Sequence, residues 1–398
     1  IAERIDRLGP ELQEMLTVAS VEGEVFTAQV VAQVRQMAER PGLQRLSQDL
    51  ERQHRLVREQ EEVPAGGRRL SRFRFRHSLF RDYVYNQLSQ GERRLLHGEV
   101  AAALEHQYDG QLDGMAVQLA HHYQLASNDE RALQYLTMAA ERASHLFAND
   151  EASAHYTGAI EVAERMALEG TLLASLHRGR GLALERLGTF NGARSDHMAV
   201  LQMARAAGER CLEWRALLDL GQLWAGRDYA RARSYDEQAL ELAREMGDPA
   251  TLADSLNWMG NWFANAEDSR TAVAYHQEAL ELVEGLNDSQ QLANTLDLLG
   301  LAYLLGGNLT ASVQIYDRAI ALSRELDDRP RLLTGLIARA VSVSVLIMLA
   351  SVPVQAPPDA LGDLETAIRI AREIDSPVDE AWAHWALGQL HILRGRFG

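Results

Sequence analysis

The strongest constraint on this chain is a pattern written twice in succession between Gly247 and Asp328. Asp248-Pro-Ala-Thr-Leu-Ala-Asp-Ser-Leu-Asn-Trp-Met-Gly260 lines up with Asp288-Ser-Gln-Gln-Leu-Ala-Asn-Thr-Leu-Asp-Leu-Leu-Gly300, with leucine, alanine and glycine at the same offsets. Leu252, Leu256, Met259 and Trp262 recur at the steps that place apolar groups on one helix face. The polar links 265–269 and 306–308 stop one helix and start the next. A lone helical hairpin cannot bury its apolar stripe, so such units stack side by side. Gly260 and Gly300 in the first helices, with Ala272, Ala279 and Ala319 in the second, are expected where paired helices approach closely. The spacing predicts helix pairs over 171–188 with 190–207, 211–225 with 228–246, 250–265 with 269–285, 289–305 with 309–326, and 331–350 with 359–375.

Gly300 and Tyr303 late in a first helix, Ala272 and then Tyr275 or Tyr316 in a second, and Ala279-Leu-Glu-Leu282 resemble the tetratricopeptide repeat. Gly181, Gly221, Gly260, Gly300 and Ala340 recur every ~40 residues, against 34 in the standard repeat. Longer repeats of this kind resemble the sensors of large bacterial signalling ATPases. The resemblance implies an all-α fold, a right-handed tetratricopeptide-like superhelical solenoid over 169–398, reached through a helical arm at 91–168.

Residues 1–90 do not follow the repeat. Pro10 opens a helix to about Ser20, Thr27 can cap a second to about Met37, and a third runs from about Pro41 to Gln53. Leu56 to Glu62, the turn at 64–67, and the Phe/Arg alternation of Leu70 to Arg76 make a β-hairpin. Three helices followed by one hairpin is the order of a small winged-helix domain. The third helix sets Arg45 and Arg52 against Asp49 and Glu51, and the net charge is −16, so DNA is not the expected partner. Protein contact is the favoured use of this module, because fold does not by itself give function.

The segment Phe73-Arg-Phe-Arg-His-Ser-Leu-Phe-Arg-Asp-Tyr-Val-Tyr85 resembles the end of the winged-helix domain in STAND signalling ATPases. There a Met-His-Asp signature precedes Leu and Arg-Asp, matched here by His77, Leu79, Arg81 and Asp82. Arg76 and Ser78 stand where Met and Asp would be. The resemblance implies that His77, with Arg81, senses the phosphate of ADP held by a neighbouring ATPase domain. The alternative is that His77 only caps the following helix.

No lysine occurs anywhere, so no phosphate-binding Gly-x-x-x-x-Gly-Lys loop exists in this chain. No nucleophile or paired-carboxylate signature appears either, so no catalytic residue, metal or cofactor is expected within 1–398. ADP or ATP is expected in a parent protein, whose ATPase domain would precede Ile1. The chain reads as a piece of that parent, cut in mid-repeat after Trp382-Ala-His-Trp-Ala-Leu-Gly388 and the turn 394–397. The single cysteine, Cys211, fits a reducing cytoplasm. His121 and His122 are adjacent and read as solvated or core groups rather than metal ligands. The apolar run from Leu336 to Val354 is read as a buried repeat helix with a lengthened loop at 352–358, not a membrane span.

Carrying over the repeat's inward positions selects Gln222, Asp254, Asn257, Asn261, Asn294, Asp297, Trp382 and Trp385 as a ligand groove. Asparagine costs helix propensity by roughly 0.5 kcal/mol, so its recurrence favours a groove over a plain solvated face. The expected function is a sensor: an inducer, be it small molecule, peptide or protein, occupies the groove, and self-association can follow activation. A free-standing winged-helix transcription regulator with peptide-binding repeats, or a protein scaffold, are the alternatives.

Overall fold

A computed structural model describes residues 1–65, 67–349 and 360–393. The loop expected at 352–358 and the turn expected at 394–397 lie outside the described residues. The chain divides into two compact units, 1–207 and 208–398.

The first unit begins with α1 (Ala2–Asp6), α2 (Pro10–Glu22), β1 (Val25–Thr27), α3 (Ala28–Val34) and α4 (Glu39–Gln44). The expected third helix is wound in two ways, because α4 passes into a wide π-type stretch at Arg45–Gln53. Then come β2 (Val57–Glu59), β3 (Val63–Ala65), β4 (Arg68–Leu70) and β5 (Arg72–Phe75). The order β1-β5-β2 makes a three-stranded antiparallel sheet, and β3 pairs with β4 as the wing. This is the winged-helix arrangement, with more strand than the single expected hairpin. The Phe/Arg strand breaks at Ser71, and Val25-Phe26-Thr27 adds an edge that three residues of sequence do not announce. Phe26, Phe73 and Phe75 meet on its buried face, with the Phe26 ring centroid 6.1 Å from that of Phe73 and 5.3 Å from that of Phe75.

The helices α5 (Ser78–Gln87), α6 (Gln90–Gln107), α7 (Ala116–Leu125), α8 (Asp129–His145), α9 (Asn149–Arg165), α10 (Thr171–Arg186) and α11 (Phe190–Ala207) complete the first unit. One continuous apolar core runs from Ile5 to Ala183, so the winged helix and the helices after it share an interior. His122 is buried there, its Nδ1 2.8 Å from Nδ1 of His97, whose Nε2 lies 3.0 Å from the Tyr85 hydroxyl. Burial and the neighbouring His97 and His121 push His122 down to about 3, so its ring is neutral.

The second unit consists of helices in sequence: α12 (Arg210–Ala225), α13 (Tyr229–Met246), α14 (Pro249–Asn265), α15 (Ser269–Val283), α16 (Ser289–Leu305), α17 (Leu309–Glu325), α18 (Arg329–Leu349), α19 (Ala360–Glu373) and α20 (Pro377–Leu393). The described bounds of α12 to α17 agree with the pairs predicted from spacing to within two residues. The starts of α13 to α17 are set locally, since Asp228, Asp248, Asp268, Asp288 and Asn308 each accept a bond from a backbone N–H of the first turn. Arg339 sits in the apolar α18 because Asp363 of α19 takes its Nε at 3.1 Å and Asp317 of α17 takes another guanidinium nitrogen. Among the described residues no helix is long and apolar enough to cross a membrane.

The glycines stand at close approaches within their pairs, and each accepts a polar side chain, a knob, from the second helix of its own pair. A Cβ at Gly260 would stand 2.5 Å from the His276 ring, and one at Gly300 would stand 2.8 Å from the Tyr316 ring. Gly181 receives His197 and Gly221 receives Asp236 in the same way. Ala272, Ala279 and Ala319 are buried alongside.

Candidate functional site

Four knobs of similar role differ in what their polar atoms find. Tyr316 is buried, and its hydroxyl faces the Asp297 carbonyl at 3.4 Å. His276 donates from Nδ1 to Oδ1 of Asn257 at 3.0 Å, and Asn257 Nδ2 donates to Thr295 Oγ1 at 2.8 Å. Burial pushes the His276 imidazole down to about 4. Among the described residues His197 has no hydrogen-bond partner at either ring nitrogen, and the carboxylate of Glu185 stands 3.7 Å away.

Asp236 on α13 is 4% exposed, and its Oδ1 has no hydrogen-bond partner among the described residues. Burial, with Glu237 beside it, pushes this carboxyl up to about 7. Oδ1 stands over Gly221, and Asp236 forms part of the wall of a cavity of about 50 Å³ between α12, α13 and α14. Gln222, Trp258, Asn261, Trp262 and Tyr229 form most of the remaining wall. Trp262 is held in place by donating from Nε1 to the Tyr229 carbonyl at 3.1 Å and by packing edge to face against Phe263.

The structure therefore brings two of the expected groove residues, Gln222 and Asn261, into one pocket. Asn257 is not on its wall: it is 3% exposed and both ends of its amide are engaged inside the repeat. Asp254 accepts from Gln291 Nε2 at 2.9 Å, which links α14 to α16. Asn294 and Asp297 are half-buried on α16, and burial, opposed by Arg331, raises the Asp297 carboxyl. Trp382 and Trp385 are 55% and 50% exposed, meet edge to face at 5.5 Å, and form an apolar surface with Val378 on α20, away from the Asp236 cavity. The groove residues selected from the pattern do not include Asp236, Tyr229, Trp258 or Trp262. A signal for the knobs exists in the spacing, because His197, His276 and Tyr316 each follow their glycine by the same interval.

In the first unit His77 is exposed at the start of α5, and its side chain makes no capping bond. Arg81 is half-buried and turned inward, donating to the Ser20 carbonyl at 3.3 Å and to Asp82 at 3.1 Å. Among the described residues no cluster of three potential metal ligands occurs.

A tetratricopeptide repeat family model matches residues 251–325. No curated protein sequence matches the chain. Among solved structures the chain is similar to a STAND protein with a tetratricopeptide repeat sensor from Pyrococcus horikoshii, at 13% identity and a TM-score of 0.47, covering 99% of this chain and 61% of that one. It is also similar to BtubC from P. vanneervenii, at 20% identity and a TM-score of 0.44, over 54% of this chain and 88% of that one. The apo quorum sensor NprR from B. thuringiensis is a third, at 12% identity and a TM-score of 0.46, over 79% of this chain and 94% of that one. Likeness at this level does not bear on what the chain does.

Proposed function

We propose that this chain is the sensor and regulatory module of a STAND-type signalling ATPase. An inducer, whether small molecule, peptide or protein, binds between the first helices of the repeats and thereby controls a nucleotide switch in an ATPase domain N-terminal to residue 1. In this reading the module works in the cytoplasm, is not itself an enzyme, holds no cofactor, and meets ADP or ATP only through that domain.

The observation that supports the switch is His77. Its imidazole is exposed, is not consumed in capping α5, and stands in the segment that resembles the STAND signature. An imidazole N–H in that position can donate to a phosphate oxygen brought against it. The cavity lined by Gln222, Asn261 and Asp236 supports the sensing half. A DNA-binding regulator is the weaker reading, because Arg45 is paired with Glu11 and Arg35 with Glu14 across the helices that would face a duplex.

The test begins with the coding sequence immediately upstream of Ile1, where a phosphate-binding loop with its lysine is expected and a sequence without one overturns the reading. In the intact protein, His77→Ala is expected to raise basal ATP turnover by about tenfold, the equivalent of one hydrogen bond to a charged group. Purified 1–398 is expected to hydrolyse no ATP; hydrolysis by it, or an unchanged rate in H77A, contradicts the assignment.

A further inference from the structure

The sensor function leaves the inducer's chemistry open, and the cavity at Asp236 narrows it. A buried carboxylate without a hydrogen-bond partner on Oδ1 is costly unless something completes it. The corresponding His276 has Nδ1 engaged by Asn257 from inside the protein and Nε2 without a partner among the described residues, whereas Asp236 forms part of the wall of a cavity. The charge that acts on its carboxyl is Glu237, which repels. Glu237 is itself paired with Arg233 at 2.7 Å.

The rest of the wall has the same preference. Trp258, Trp262 and Tyr229 line it with aromatic rings, whose faces attract cations, and Gln222 and Asn261 line it with amides, whose oxygens can accept. Trp262 already carries one cation, the Arg233 guanidinium 5.0 Å from its centroid. Size sets the limit: about 50 Å³ holds on the order of three or four non-hydrogen atoms, if one water needs roughly 10–15 Å³. A guanidinium fits that space, as does an ammonium with its methylene, and the remainder of the ligand would lie outside.

We propose that the Asp236 cavity is a subsite for the cationic end of the ligand, a guanidinium or primary ammonium on an alkyl stem, with Asp236 as its counter-ion and Trp258 and Trp262 as its aromatic walls. The proposal rests on the sensing half of the function above and is independent of the nucleotide switch, since binding is read on the chain alone.

The probes are agmatine, N-acetyl-Ala-Arg-Ala-amide, and the same peptide with citrulline, the neutral isostere of arginine. Binding to 1–398 at pH 8 is followed by tryptophan fluorescence and calorimetry up to about 10 mM probe, a range that detects millimolar dissociation constants. Cationic probes are expected to bind at least about tenfold more tightly than the citrulline peptide, and Asp236→Asn is expected to remove that preference. Tighter binding of agmatine identifies a free amine as the source of the cation, and tighter binding of the peptide identifies a basic side chain. A second variant, Asn261→Lys, supplies a cation from α14 itself and is expected to abolish agmatine binding while raising the thermal midpoint. Equal affinity for arginine and citrulline, unchanged binding by D236N, or no binding of either cation overturns the subsite. If induction of the intact protein persists in D236N, the subsite fails while the sensor reading stands.

Discussion

Two successive hairpins, α12–α13 and α14–α15, share one plan and differ in the residue that fills the socket and in what surrounds it. In both, a glycine of the first helix receives a polar knob from the second, His276 over Gly260 and Asp236 over Gly221. In the α14–α15 hairpin the knob is tied to Asn257 and through it to Thr295 of the next repeat, so its polarity serves the stacking. In the α12–α13 hairpin the knob's Oδ1 is buried over Gly221 without a hydrogen-bond partner among the described residues, and Asp236 forms part of the wall of a cavity lined by tryptophan. The socket is a steric device of the repeat, and its occupants differ in what their polar atoms bond to.

The largest effect tests the steric half. Tyr316 fills the Gly300 socket and is fully buried, so Tyr316→Ala is expected to cost about 3–5 kcal/mol in chemical denaturation. A loss below about 1 kcal/mol would mean the knob is not a packing element.

The pH dependence of the two knobs has opposite sign. Asp236 holds its proton up to about 7 in the folded chain and to its ordinary 3.8 when unfolded, so its contribution to stability falls as pH rises from 4 to 7. Asp236→Asn is therefore expected to stabilise by roughly 2–4 kcal/mol at pH 8 and to lose that gain by about pH 4. His276 is held neutral down to about 4 against an ordinary 6.5, so its contribution is present above 6.5 and is lost as pH falls towards 4. The stability gap between wild type and His276→Phe should accordingly shrink by up to about 3 kcal/mol over that range. Parallel slopes for the two variants would erase the distinction between the hairpins.

Smaller effects follow from the polar links. Asn257→Ala leaves Thr295 and His276 without their partner and is expected to cost about 1–3 kcal/mol, with no change in agmatine binding. Asp254→Ala removes one half-buried bond to Gln291 and is expected to cost less than about 1 kcal/mol. An Asn257 variant that folds normally and loses probe binding would place that residue back on the groove.

The helix pairs were legible because leucine, alanine and glycine recur at fixed offsets and Asp or Asn stands at each start. The knobs were less so: Asp, His and Tyr share no chemical class, and only their distance from the glycine relates them. Asn257 lies at an inward position by helical geometry alone, yet Thr295 on the next first helix reaches it and closes it off. That contact lies 38 residues along the chain, beyond any local pattern. Gln222 and Asn261 did reach the cavity, because both lie one step after a small residue, where the first helices face outward from their own partner. In the winged helix, β1 is not legible, because a strand of three residues gives no alternation to read.

The most direct test of the α12–α13 knob is the ionisation of Asp236 itself, followed as the ¹³Cγ shift of labelled aspartate in the free chain and assigned by its absence in D236N. A midpoint near 7, moving down when agmatine is added, is the expected result. A midpoint at the ordinary aspartate value, unmoved by the cation, would mean that the carboxylate is already solvated or paired, and would contradict the account.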